Sequence, residues 1–351
     1  MHMADALISP AVGGAMWAVT AGIAVYSAKK VQKDIDDRKI PLMGVLGAFV
    51  FAAQMINFTI PGTGSSGHIC GGLLLAILLG PQAALLTIAS ILTIQALFFA
   101  DGGILALGAN IFNMGLLACF IGYPLIYKPL TGKKPSQGRI LIGSVLASVI
   151  GLQLGAFSVV LETLFSGISE LPFSTFVLLM QPIHLAIGFV EGLITAAIIL
   201  FIKKESPEIL QKAASGQPFG NLSIKGIFVT MLIATVLTGG ALSWFASANP
   251  DGLEWSIAGI TGKGELESSE GEGIHSFFAE LQEKTAFLPD YNFKQPEKEK
   301  PAAATEANAA EEKEAWPTVD GGTSFAGILG SLLTLVLAYT IGKGLRRFAK
   351  G

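Results

Sequence analysis

The sequence predicts an all-α, polytopic transmembrane helix bundle of about seven helices, with two accessory transmembrane helices flanking an extracytoplasmic segment. Three observations carry that expectation. Of 351 residues, 51% are apolar and 14% charged, and the mean hydropathy is +0.60, well outside the range of soluble globular domains. The apolar residues gather into about nine runs, most of them near the roughly 20 residues that carry a helix across a hydrocarbon core. Lys and Arg crowd a few short loops, whereas acidic residues crowd one long segment.

The first run, about 11–28, follows an opening whose only charge is Asp5 and precedes Lys29 and Lys30. A cleaved secretory leader carries its positive charge ahead of the apolar stretch, so the start is expected to be retained. The second run is about 41–60. The third, 69–80, is too short for an ordinary span and is cut from the fourth, 83–100, by Gly80-Pro81. A Gly-Pro break after a dozen apolar residues suggests a tilted, half-buried or re-entrant piece inside the bundle. The fifth, sixth and seventh runs are about 109–127, 140–163 and 176–203. Pro207, Gly216, Pro218 and Gly220 then punctuate a polar stretch, which divides the chain into a seven-helix unit (1–205), a cytoplasmic linker (206–224) and an accessory unit (225–351). The last two runs, about 225–245 and 323–343, flank an external segment at 246–322. That segment begins Pro250-Asp251-Gly252-Leu253-Glu254 and ends in an Ala/Glu/Lys/Pro-rich stretch, about 295–317, whose composition reads as a flexible tether.

The charges test the count independently. Cationic loops stay cytoplasmic, and four qualify: Lys29 to Lys39, Lys128 to Arg139, Lys203-Lys204 with Lys212, and the tail bearing Lys343, Arg346, Arg347 and Lys350. Nine alternating segments place all four inside, with the N-terminus and the acidic segment outside. Attraction of dications by the acidic segment and a plain soluble spacer are both open readings. The spacer is favoured because screened, flexible carboxylates hold cations weakly.

The chain opens Met1-His2. A free α-amine, the amide nitrogen of residue 2 and Nδ1 of a histidine at residue 2 wrap one metal ion in fused five- and six-membered rings. Such a near-planar nitrogen set suits Ni²⁺ or Cu²⁺ and is poorly tolerated by Zn²⁺. One corner stays open for a fourth donor. His68, in the small-residue loop Pro61-Gly62-Thr63-Gly64-Ser65-Ser66-Gly67-His68, falls on the same external side. By itself it is an ordinary loop histidine; beside His2, in a chain with four histidines, it is the best fourth donor, with the hydroxyls of Ser65 and Ser66 expected to orient its ring. Cys70 is a softer alternative, for which a buried structural thiol is the favoured reading. Cys70 and Cys119 are too far apart in sequence to suggest a disulfide framework.

Three separated blocks carry a family resemblance. They are Met1-His2-Met3-Ala4-Asp5-Ala6-Leu7-Ile8-Ser9, the stretch Asn57-Phe58-Thr59-Ile60-Pro61 through Gly67-His68-Ile69-Cys70-Gly71-Gly72, and Ala100-Asp101-Gly102-Gly103 through Gly108-Ala109-Asn110. Over about residues 1–205 the chain resembles the substrate-capturing component of energy-coupling-factor nickel/cobalt transporters, the NikM/CbiM family. The part around Pro250-Asp251-Gly252-Leu253-Glu254 resembles the small NikN accessory component, fused to the same chain. The resemblance implies a seven-span bundle with an inserted N-terminus, and metal ligands at Met1, His2 and His68. It also implies Ni²⁺ or Co²⁺ as transported ion with no intrinsic cofactor, and partners comprising a transmembrane coupling subunit and cytoplasmic ATPases. The setting it implies is the bacterial cytoplasmic membrane, with the C-terminus inside. Position 70 is Cys here, a departure from the family pattern.

Other polar residues in or near the apolar runs are Asp101, Asn110, Glu162, His184 and Glu191, and charge in lipid is costly. Asp101 and Asn110 bracket a Gly-rich external loop expected to pack on the metal loop and bond its backbone or His68, and His184 is expected to join that network. For His184 and Glu191 an interhelical polar contact is the favoured reading, and for His275 a surface position. No Gly-x-x-x-x-Gly-Lys-Ser/Thr stretch occurs, so ATP hydrolysis is not expected of this chain. No His-Glu-x-x-His and no basic-aromatic nucleic-acid patch occurs either. The chain is therefore expected to be a transporter subunit and not an enzyme. The alternative is a stand-alone secondary transporter of divalent metals, for which Glu191 is the suitable midplane carboxylate.

Overall fold

The computed structural model describes residues 1–34, 37–132, 135–220, 222–264, 266, 273–294 and 316–349. Nearly all of the regular structure is helical, as apolar runs in lipid require, because a helix satisfies its own main chain. The helices are α1 (Pro10–Asp34), α2 (Lys39–Gln54), α3 (Gly72–Leu79), α4 (Pro81–Phe99), α5 (Leu107–Thr131), α6 (Gln137–Ser166), α7 (Phe173–Glu205), α8 (Pro207–Ser215), α9 (Lys225–Gly240), α10 (Gly252–Thr261), α11 (Ile274–Thr285) and α12 (Gly321–Ala349). Six of them, α1, α4, α5, α6, α7 and α12, are long and apolar enough to cross a membrane, and α2 and α9 are shorter apolar helices. The chain is a multi-pass membrane protein.

Two local features escaped the apolar pattern. A short antiparallel hairpin pairs β1 (Phe58–Ile60) with β2 (Ser65–Gly67) in the register Phe58↔Gly67, Thr59↔Ser66, Ile60↔Ser65. Inside α5, residues Phe112–Leu116 and Ala118–Tyr127 are wound as π-helix. The short third run takes the buried form: α3 has eight residues, all of them buried, and ends at Gly80, whose φ of 81° precedes Pro81 at the start of α4.

The four basic segments meet at one end. Lys203 Nζ donates to the Pro135 carbonyl and Arg38 to the Leu222 carbonyl, each at 2.6 Å, and Arg346 pairs with Asp37. A cleft of about 280 Å³ at this end is lined by Lys30, Lys39, Lys128 and the 213–216 end of α8. Lys350 and the 295–315 stretch of the anticipated tether lie outside the described residues. The two accessory helices pack on α2 and on each other. They cross at Gly239 and Gly327, where a methyl group on Gly239 would stand 3.0 Å from the Gly327 main chain, a backbone approach that only small residues permit.

The described part of the acidic segment is folded, in contrast to the spacer reading. Leu253, Ile257, Ala286 and Leu288 are buried, and Gln282 Nε2 donates to the carbonyls of Ala96 and Gly102 at 2.9 and 2.8 Å. Apolar residues dispersed among charges hold α10 and the turn after α11 against the bundle, and Gln282 ties α11 itself.

Candidate metal centre

At the end opposite the basic cluster, two irregular segments sink into the bundle. One is the chain after β2: Ser65, Ser66, His68, Ile69 and Cys70 are all buried. Unpaired main-chain groups at that depth are costly, and two helices supply partners. Glu191 on α7 accepts from the Cys70 N–H with Oε2 at 2.8 Å and from the Gly71 N–H with Oε1 at 3.0 Å. Gln54, at the end of α2, donates to the Cys70 carbonyl at 2.9 Å. Nδ1 of His68 lies 3.1 Å from the Ile69 carbonyl, which fixes Nδ1 as the protonated nitrogen and leaves the Nε2 lone pair available. Burial, reinforced by the nearby terminal ammonium, lowers the His68 pKa to about 4, so the imidazole is neutral at physiological pH.

The other segment is the N-terminus. Met3 is held on both main-chain sides: its N–H donates to Asn110 Oδ1 at 2.8 Å, and its carbonyl accepts from Asn110 Nδ2 at 3.1 Å and from the Gly103 N–H at 2.8 Å. Asp5 Oδ1 accepts from the Ala106 N–H at 2.9 Å. Residues 1–5 therefore lie along the 100–106 loop and the start of α5, with the Met1 and Met3 side chains buried. His2 is brought against His68, the two rings stacking with centroids 5.2 Å apart and planes 26° off parallel.

The charges around this plug come from far along the chain. The terminal amine of Met1 donates to Asp251 Oδ2 at 3.1 Å. Burial is the strongest single influence and disfavours the charged amine, but the Asp251 carboxylate and the negative groups behind it, Asp101 among them, together hold its pKa above the usual value. Burial likewise works against an ionised Asp251, but the ammonium and the main-chain N–H groups it accepts from hold its carboxyl well below the usual range. His2 has acceptors at both ring nitrogens, Asp101 Oδ1 3.2 Å from Nδ1 and Gln95 Oε1 3.1 Å from Nε2. Burial lowers its pKa despite Asp101. A cavity of about 10 Å³, room for one water-sized body, is lined by Met1, His68, His184 and Asp251 among others.

The residues singled out from sequence thus converge, with several roles changed. Asp101 and Asn110 serve the N-terminal segment, not the His68 loop: Asp101 faces His2, and Asn110 holds Met3. Ser65 and Ser66 do not orient the imidazole. Ser65 Oγ donates to the Ser66 carbonyl, and Ser66 Oγ donates to the Asn249 carbonyl at 2.7 Å, leaving the ring to Ile69. His184 lines the small cavity, with Nδ1 on the Met180 carbonyl at 2.7 Å and no partner for Nε2 among the described residues. His275 is not a free surface residue, since its Nε2 lies 2.9 Å from the Ile8 carbonyl. Sequence reasoning missed Asp251, Gln95, Gln54 and Tyr291, whose hydroxyl donates to Asp101. Asp251 also caps α10 by accepting from the Leu253 and Glu254 N–H groups, and the Ser66 N–H donates to the Pro250 carbonyl at 2.8 Å. The Pro-Asp-Gly turn therefore grips both segments of the site.

Among the described residues, no three His, Cys, Asp or Glu side chains are placed to hold a metal ion together. The donors on offer are mixed: a terminal amine, a main-chain amide and two stacked imidazoles. In this arrangement Nδ1 of His2 is turned to Asp101, so the three-nitrogen chelate anticipated from the first two residues requires the ring to swing away from that carboxylate.

Comparison with known proteins adds an independent observation. Residues 2–209 match the family model described as "Cobalt uptake substrate-specific transmembrane region", and residues 225–347 match the PDGLE domain. The chain is 30% identical to the fused nickel transport protein NikMN of Rhodobacter capsulatus, over 83% of this chain and 88% of that one. A relative in Haloquadratum walsbyi is 37% identical over 60% of this chain and 93% of its own length. A crystal structure of a transition-metal transporter superposes with a TM-score of 0.53 at 33% identity, covering 60% of this chain and 97% of that one.

Proposed function

Because the chain belongs to the family of cobalt-uptake substrate-specific transmembrane regions, we propose that it is the metal-capturing component of an energy-coupling-factor importer, with Ni²⁺ as its principal ion and Co²⁺ as the second. The ion is taken by the terminal amine of Met1, the amide and Nδ1 of His2, and Nε2 of His68. The observation that carries this reading is the burial of the terminal amine beside two stacked imidazoles from segments 66 residues apart. Exposed termini ordinarily stay in water; one sunk in a polytopic bundle against histidines has a use for its nitrogen.

The contacts around the N-terminal segment support one order of events. The entering dication expels one proton from the Met1 ammonium, which leaves Asp251, and one from the His2 amide; His2 turns Nδ1 from Asp101 to the ion, keeping its ring proton on Nε2 toward Gln95, and His68 closes the ring with the lone pair that its Ile69 contact leaves available. Four nitrogens near a plane favour Ni²⁺, and the fused accessory part accords with the nickel transport proteins that share it. Release to the other side is driven by partners: a transmembrane coupling subunit and cytoplasmic ATPases, engaging the end where the four basic segments gather. That end is cytoplasmic and the metal centre extracytoplasmic, in a bacterial cytoplasmic membrane. Residues 1–205, 206–224 and 225–351 act as capture unit, linker and accessory unit.

The deciding experiment compares Ni²⁺ binding by purified chain beginning at Met1 with a version carrying one extra N-terminal residue. The extension moves the amine out of the chelate and should weaken binding by at least a hundredfold. Equal binding by the two versions overturns the proposed ligand set.

A further inference from the structure

The cleft of about 280 Å³ at the basic end has no part in holding the metal ion. Lysines from three helices line it: Lys30 near the end of α1, Lys39 at the start of α2 and Lys128 near the end of α5. No Asp or Glu lines it among the described residues. Its floor is the turn between α3 and α4. Pro81 opens α4 without an N–H, and the first intrahelical bond runs from the Ala84 N–H to the Gly80 carbonyl at 3.0 Å. The N–H groups of Gln82 and Ala83 therefore have no acceptor within the helix, and both residues line the cleft. A methyl group on Gly80 would meet nothing within 4 Å, so the space before this helix start is open.

A helix N-terminus favours an anion through its N–H donors and its dipole, but a terminus alone specifies no ligand. Tyr123 supplies the second observation. It lines the cleft from α5 and is 5% exposed, its ring stacks on Tyr127, and its hydroxyl meets no hydrogen-bond partner among the described residues. A buried phenol ordinarily finds a partner, and an anion in the cleft provides an acceptor. The end of α8 does not oppose that anion. Its Lys212 and Ala213 carbonyls are spent on the N–H groups of Gln217 and Gly216, at 2.9 and 3.2 Å.

The flanks of the cleft say what carries the anion. Near the metal centre α1 is tied to the start of α5, Thr20 Oγ1 donating to the Gly108 carbonyl at 2.8 Å and Trp17 Nε1 to the Ile104 carbonyl at 3.0 Å. At the basic end both helices border the cleft. Tyr26, about one turn before Lys30, is 56% exposed, and Leu125, three residues before Lys128, is 66% exposed. Apolar surface open to lipid thus adjoins a cationic cleft on two helices, an arrangement that takes a phosphate among the lysines and acyl chains along the helices. The volume is at the small end of ligand pockets, roughly 300–1,000 Å³, which suits a headgroup.

We propose that this cleft binds the phosphate headgroup of an anionic phospholipid from the leaflet at the basic end. Lys30, Lys39 and Lys128, the Tyr123 hydroxyl and the N–H groups of Gln82 and Ala83 hold it. A bound headgroup fastens the ends of α1, α2, α4 and α5 to one another. The inference does not depend on the capture reading above.

The test titrates the purified full chain in detergent with phosphatidylglycerol or phosphatidylcholine and counts retained lipid by native mass spectrometry. One phosphatidylglycerol should be retained in preference to phosphatidylcholine. Lys30→Gln with Lys128→Gln should weaken it about thirtyfold, at about fivefold for each charge near a membrane surface. Lys343→Gln with Arg347→Gln removes the same charge from α12, outside the cleft, and should leave it in place. Tyr123→Phe, which keeps the ring and its packing, should weaken it about tenfold, the loss of a hydrogen bond to a charged group. Retention indifferent to the Lys30 and Lys128 pair or to Tyr123→Phe overturns the site. Equal loss in the two doubly substituted chains overturns it as well, because the basic end then acts only as a general cationic surface, and so does equal retention of the two lipids. Displacement by inorganic phosphate at equal concentration assigns the cleft to a soluble anion, and displacement by a polyglutamate peptide assigns it to an acidic partner segment; either result overturns the lipid site.

Discussion

The terminal amine of Met1 and the carboxylate of Asp251, 250 positions apart, form a buried ion pair at 3.1 Å. The pair ties the accessory unit to the first atom of the chain, and it sets how metal capture depends on pH. The amine pKa is raised from 8.0 and that of Asp251 lowered from 3.8. The amine's contribution to stability is therefore complete below 8.0 and lost only as pH rises through its raised value. That of Asp251 is complete above 3.8 and lost as pH falls through its lowered value, so both are present between those limits. A metal ion must expel the amine proton to bind. Ni²⁺ affinity should therefore fall as pH falls from 8 to 6, by about tenfold per unit for each proton released. Asp251→Asn removes the charge that retains the proton and should move the midpoint of that profile to lower pH. Calorimetry in buffers of different ionisation enthalpy measures both the proton count and the midpoint; a profile unmoved by Asp251→Asn contradicts the role given to the pair.

Asn110 makes two of the three hydrogen bonds that hold the Met3 main chain. Asn110→Ala leaves a buried N–H unsatisfied, at a cost of about 1–3 kcal/mol, and frees the segment that presents the amine and His2. Ni²⁺ affinity should drop about 10- to 100-fold, the range for loss of a contact that orients ligands, with little change in overall helix content. Calorimetric titration together with circular dichroism separates the two effects. Unchanged affinity would mean that Met3 is held without Asn110.

How far these features were legible in the sequence depends on whether their cause is local. The spanning helices and the buried third run follow from composition within a few turns, and the gathering of basic segments at one end follows from charge alone. That His2 and His68 come together was legible because span count and loop charge put the N-terminus and the loop after the second apolar run on one side. Asp251, Gln95, Gln54 and Tyr291 were not, because their partners are defined only once the helices are assembled. Asp251 also caps α10, so in sequence it reads as an ordinary helix start. Ser65 and Ser66 misled for the opposite reason: they adjoin His68 in sequence, but the hairpin sends Ser66 toward Asn249 and Pro250.

Glu191 is the clearest test of a structural carboxylate inside the bundle. Gln in its place offers one acceptor and one NH₂ to two N–H donors, so either Cys70 or Gly71 loses its partner. Glu191→Gln should destabilise the protein by about 1–3 kcal/mol, seen as a lower melting temperature in detergent, and weaken Ni²⁺ capture about tenfold through displacement of His68. A secondary transporter using Glu191 for ion coupling would instead keep its metal affinity and lose the pH dependence of transport. Radioactive nickel uptake at several pH values, set beside the binding measurement, tells these outcomes apart.

Gly252 fixes how closely the accessory turn approaches α7. A methyl group there would stand 2.7 Å from Ile183 Cγ2 and 3.1 Å from His184 Cε1, and neither the branched side chain nor the ring, bonded to Met180, yields easily. Gly252→Ala should therefore push the start of α10 outward, at a cost of about 1–3 kcal/mol for overpacking, and lengthen the Asp251 contact with Met1. The pH profile of Ni²⁺ capture should shift in the direction of Asp251→Asn, and amide exchange should rise across 249–258. Gly259 on the same helix is the control, because a methyl group there meets only Leu179 Cδ1, at 3.2 Å, the mobile end of a side chain. Gly259→Ala should leave the profile in place while adding the same helix propensity. If both substitutions behave alike, the grip of the accessory unit on the terminus does not depend on the close approach at Gly252.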